Sequence, residues 1–185
     1  MAKNPYGRDY RLVESFSEKG RVKTSYEYIG EPCFFRAGEE TARKKAFQCT
    51  LLTAAAWICY IGAMFFESAA MHRLYVALPF AFCGVPLALL TGHMMALRGM
   101  REPLERRHMD RMNNKFPPAA MFLTLFALFA LAGEGIGLAV SAFSGNAGQL
   151  FPGEIVFLIG CTGLVLCGAR LFMARTHFVI IRRDA

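Results

Sequence analysis

Charge is scarce in this chain. Lysine, arginine, aspartate and glutamate together make up 19% of its 185 residues, whereas hydrophobic residues make up 55%. A water-soluble domain of this length carries more charge, so the surplus apolar surface calls for a solvent other than water. Also missing are the spacings of common chemistries: there is no HExxH pair, no GxSxG elbow, no carboxylate pair within one apolar run and no CxxC. Cys33, Cys49, Cys59, Cys83, Cys161 and Cys167 fall outside the expected external connections, which makes them small packing residues in place of disulfides or zinc ligands. His72, His93, His108 and His177 are scattered. Haem held between two spans would need a second histidine level with His93, and no other apolar run contains one. The expectation is a noncatalytic protein with no metal and no cofactor.

An apolar leader is lacking as well. The first 45 residues hold ten Lys or Arg and seven Asp or Glu, so no cleavable signal peptide is expected and the first span doubles as the targeting signal.

Long apolar runs are what the chain does have. Residues 46–66 carry no charge, and residues 74–97 are interrupted only by His93. At a rise of about 1.5 Å per residue, roughly 20 apolar residues match a hydrocarbon core about 30 Å thick. Two further runs carry one charge each: 117–143 contains Glu134 and 155–174 contains Arg170, whose long stem lets it reach the headgroups. The fold expected is an all-α membrane protein, a four-transmembrane-helix bundle with a small N-terminal cytoplasmic antiparallel β-meander. Its parts are a β-rich, basic segment over 1–45, a first helix pair over 46–97 and a basic linker over 98–116, then a second helix pair over 117–174 and a basic tail over 175–185. Pro79 and the Cys83-Gly84-Val85-Pro86 stretch predict a kink in the second span.

Orientation follows from the basic residues. Ten precede the first span, six lie over 98–115 and four from Arg170 onward, while Arg73 alone falls in the opposite connections. Both termini are therefore expected in the cytoplasm. The formal net charge of +7 sits on these flanks, so it is read as topology and attraction to anionic lipid headgroups, with no nucleic acid as partner. Short external connections without glycosylation-type acceptors fit a bacterial inner (cell) membrane.

Residues 10–35 alternate as strands do, with Val22, Thr24, Tyr26 and Tyr28 on one face. Turn chemistry at Ser17-Glu18-Lys19-Gly20 and Gly30-Glu31-Pro32 predicts a three-stranded meander over 11–16, 21–29 and 33–36. Such a sheet needs support from elsewhere. The C-terminal HFVIIRR, 177–183, either adds a fourth strand or prolongs the last helix. Within the linker, Pro103 suits the first turn of a short helix on which Glu102 and Arg106 are spaced as an i, i+4 ion pair. Arg98, Arg101, Arg106, Arg107 and Arg111 are the candidate contacts for anionic lipid or an acidic partner.

Glu134 raises the sharpest question. Counted from Pro117 it lies about 25 Å along a helix, in the outer part of the core. Gly133 and Gly137 flank it as GxxxG, a spacing that admits a neighbouring helix. Arg73, at a similar depth, is the candidate partner, with Tyr60 and Tyr75 as neutral donors. Three roles stay open: an interhelical bond fixing register, ion or proton coupling, and simple snorkelling. The corresponding functions are an accessory or interaction subunit, through a membrane-protein partner or homo-oligomer, and a small transporter or channel-forming oligomer.

Overall fold

A computed structural model describes residues 7–16, 22–66, 68–143 and 152–182. Helix α1 (Glu39–Phe65) begins seven residues ahead of the first apolar run. The cause is local. Gly38 takes φ +81°, which a side chain disfavours, and Glu39 and Glu40 put negative charge at the positive end of the helix dipole. The segment expected to end at residue 45 thus already contains the first turns of the helix.

The second apolar run is two helices, α2 (Leu74–Phe82) and α3 (Gly84–Arg98), with a turn at Cys83. Pro86 supplies no N–H to the carbonyl four residues back, which loosens the ladder where the break occurs. Gly84 lets the Tyr60 hydroxyl come close to the backbone at the same point; a Cβ there would lie 3.0 Å from that oxygen. Helix α4 (Arg106–Asp110) passes through a wide π-type turn at Arg111–Lys115 straight into α5 (Phe116–Phe143). Helix α6 (Pro152–Ala174) ends in a tighter turn over Arg175–Phe178. Counting α2–α3 as one span and α4–α5 as another, four helices are long and apolar enough to cross a membrane.

α1 adjoins α3 and α6, while α5 adjoins α2, α3 and α6. The spans therefore close a ring in which chain neighbours are also neighbours in space, running up and down by turns. Steps of three and four residues bring one seam of each helix inward. On α1 the seam is Ala42, Ala46, Cys49, Thr53, Ala56 and Ala63, nearly all small. On α6 small residues answer it: a Cβ on Gly160 would meet Ala63 Cβ at 2.8 Å and the Cys59 carbonyl at 3.0 Å. Backbones approach this closely only where side chains are absent. Larger groups fill the middle, where Tyr60 stacks on Phe80 (4.9 Å) and Phe80 packs on Phe157 (5.0 Å). The outward faces carry Ile58, Phe65, Leu74, Phe129, Ile159 and Leu166, all exposed. A continuous apolar girdle of this kind suits surroundings as apolar as itself.

The strands depart from the expected meander. β1 (Tyr10–Phe16) and β2 (Val22–Tyr28) form an antiparallel hairpin, with Tyr10 opposite Tyr28 and Phe16 opposite Val22. The turn expected at 17–20 lies outside the described residues. β3 (Cys33–Phe35) does not return along β2; it pairs antiparallel with β4 (Ile180–Arg182), giving two two-stranded sheets. The other edge of Cys33 exchanges both backbone bonds with Leu104, at 3.0 and 2.8 Å. Both edges of β3 are thus taken by segments distant in sequence, which is why Gly30-Glu31-Pro32 does not act as a hairpin turn. This pairing also resolves the open choice for the C-terminal segment: the last helix stops, and a strand follows it.

Candidate functional site

Glu134 lies on the inward seam of α5, which runs Phe116, Ala120, Leu123, Ala127, Ala130, Glu134, Gly137. The spacing that buries the alanines buries the carboxylate too, and its side chain is 0% exposed. Arg73, the residue before α2, reaches it with Nη1 3.5 Å from Glu134 Oε2. The two neighbouring glycines make the approach possible. Gly137 leaves the space taken by the Arg73 guanidinium, where a Cβ would overlap Nη1. Gly133 leaves room for the start of α2, its Cβ position lying 3.1 Å from Val76 Cγ2 and 3.3 Å from Tyr75 Cδ2. All four residues singled out in the sequence, Arg73, Gly133, Glu134 and Gly137, therefore meet at one place. Tyr60 does not join them, because its hydroxyl points to the Ala81 carbonyl (3.4 Å) at the break between α2 and α3.

The pair is close without being well bonded. Among the described residues neither Glu134 oxygen nor Arg73 Nη1 has a hydrogen-bond partner. Glu154 adds a second buried carboxylate, 6% exposed, near enough to act on Glu134 through its charge. Glu154 lies one residue ahead of the apolar run 155–174, and it sits in the first turn of α6, where its charge suits the helix dipole. Residues 144–151 of that connection lie outside the described residues. Two acids and one base thus gather at the end of the bundle away from the linker.

The linker end carries a polar deck. Glu105 is its hub, accepting a hydrogen bond from the Tyr10 hydroxyl at 2.6 Å and lying 3.4 Å from Arg107 Nη2. Burial first, and then this bond to Glu105, pushes the Tyr10 phenol up to about 12. The Tyr28 hydroxyl accepts from the Arg106 N–H (3.1 Å), so both tyrosines fix the hairpin to the linker. Glu102 does not pair with Arg106 along a helix. Residues 101–105 are not helical, Pro103 precedes α4, and Glu102 Oε1 accepts from the Phe35 N–H at 2.7 Å. Asn113 completes the deck, its amide donating to the Ile180 carbonyl (2.9 Å) and accepting from the Ile180 N–H (3.1 Å). It occupies the free edge of β4 as a neighbouring strand would. Nothing in the sequence marked Glu105 or Asn113, since their roles arise only once distant segments meet.

Of the five linker cations, Arg98, Arg101, Arg106 and Arg107 are exposed and Arg111 is half-buried. All six cysteines carry free thiols. Among the described residues no three His, Cys, Asp or Glu side chains are grouped to hold a metal ion. No family model matches the chain, and comparison with curated proteins and with solved structures finds none similar to it.

Proposed function

We propose that the protein is a noncatalytic multi-pass subunit of a membrane assembly, with the linker and both ends of the chain in the cytoplasm of a cell whose inner membrane it spans. The basic residues flanking the spans support this orientation. The observation that carries the functional reading is the Glu134–Arg73 pair. Among the described residues the most deeply buried carboxylate faces a cation inside the bundle, in a slot opened by two glycines, as a device for fixing the register of α2 against α5 would require. The deck and the exposed arginines then offer the polar surface for a partner protein and for anionic headgroups. Co-purification in mild detergent tests this reading: Glu134→Gln should weaken assembly while leaving ion flux in proteoliposomes at the background of empty vesicles.

A second reading, a small transporter or channel-forming oligomer, is favoured by Glu154 and by the Glu134 oxygens, which have no hydrogen-bond partner among the described residues. Under it, wild-type protein conducts a measurable flux that Glu134→Gln abolishes. The two outcomes exclude each other.

A further inference from the structure

A groove of about 580 Å³ runs down the outside of the bundle between α2–α3 and α5. Phe82, Val85 and Leu89 form one wall and Phe122 and Phe126 the other. Phe126 lies against Phe82 (5.8 Å) and Phe122 (6.1 Å), closing the deep end with aromatic rings. The opposite end, next to the linker, is polar, with Lys115, Asn114 and His93. A single groove therefore runs from a cationic mouth to an apolar floor.

We propose that this groove holds one phospholipid with an anionic headgroup, one of its two acyl chains along Val85, Leu89 and Phe122 and its phosphate at Lys115. Length supports this occupant. From Lys115 to Phe126 the helix rises roughly 17 Å, close to half of a hydrocarbon core about 30 Å thick, so the groove is one leaflet deep. Charge completes the match. Lys115 is exposed and has no carboxylate partner among the described residues. Arg111, one turn earlier, adds its charge to that of Lys115 at the His93 ring. The acid one turn before Asn114, Asp110, is held by the Asn114 amide at 3.4 Å. This inference needs only that the bundle spans a bilayer and is independent of the subunit reading.

The test uses full-length protein reconstituted in phosphatidylcholine with or without phosphatidylglycerol, extracted in mild detergent and examined by native mass spectrometry for retained lipid. One phosphatidylglycerol is expected to stay bound in preference to phosphatidylcholine. Lys115→Ala should cut that preference about fivefold, as expected for one cation at a headgroup. Val85→Trp, which fills the groove, should reduce retention of both lipids, and Lys44→Ala, an exposed cation on α1 paired with Glu40 and outside the groove, should change nothing. Thermal unfolding of each variant checks that it folds, and Lys115→Ala carries the test if Val85→Trp does not. Equal retention of the two lipids by the wild type would overturn the proposal. So would equal effects of Lys115→Ala and Lys44→Ala, or cross-linking of Val85→Cys to another protein helix seated in the groove.

Discussion

Gly137 and Gly160 look alike in the sequence and differ in what they face. The space beside Gly137 is filled by the end of the flexible Arg73 side chain, that beside Gly160 by the α1 backbone at Cys59. Gly137→Ala should therefore displace the guanidinium and cost about as much as losing the ion pair. In a double-mutant cycle unfolded by denaturing detergent, adding Arg73→Ala to it should cost little more. Gly160→Ala has no such escape and is expected to destabilise by roughly 1–3 kcal/mol, whatever stands at position 73. For the pair itself, Glu134→Ala should cost up to roughly 3–5 kcal/mol, toward the lower end because Arg73 remains 24% exposed. Replacing both partners by methionine should be nearly neutral. A double replacement as damaging as the single one would show that the pair adds stability beyond its shape. Glu134 was legible because it is the lone charge in its run, and Arg73 because it is the lone cation on that side. Glu154 was not, since it precedes the apolar run it belongs to and its burial arises only when the helices assemble.

At the scale of elements, the strands show which part of local pattern survives assembly. The alternation of 22–28 gave β2, and the hairpin ladder followed the same periodicity. The partner of β3 was illegible. Any edge with free N–H and C=O groups will serve, and the choice fell to the segments that the bundle brings to the same end, Leu104 and β4. The boundary of α1 was misread for a simpler reason: an apolar run marks where the hydrocarbon begins, whereas Gly38 marks where the helix begins. The hairpin's attachment carries a pH dependence. Tyr10 titrates near 12 when folded, above its ordinary value of 10.0, so docking contributes stability that is fully present below pH 10 and is lost as pH rises through 12. Ultraviolet titration of tyrosinate should show a late phenol that disappears in Tyr10→Phe and moves down in Glu105→Gln. If all the tyrosines ionise together near 10, the hairpin is not held by Glu105.

For the whole molecule, an even number of spans and the β3–β4 pairing put both described ends of the chain at the linker end of the bundle. Cysteines introduced for the exposed Tyr26 and Ile181 should be labelled by an impermeant thiol reagent from one side of intact vesicles, and one for Phe143 from the other. Labelling of 26 and 181 from opposite sides would contradict the topology. The number of long apolar helices was readable from run length, because the length of a run reflects transfer from water to oil. Their ring order was not, because it depends on which small-residue seams meet. The strand at Cys33 has a further consequence, for biosynthesis. One of its edges is completed by residues made about 150 positions later, so the nascent protein must carry that edge open through the synthesis of all four long helices. A chain stalled before Ile180 is expected to leave the Cys33 thiol, fully buried in the finished fold, reactive toward maleimide, and release of the stalled chain to shield it.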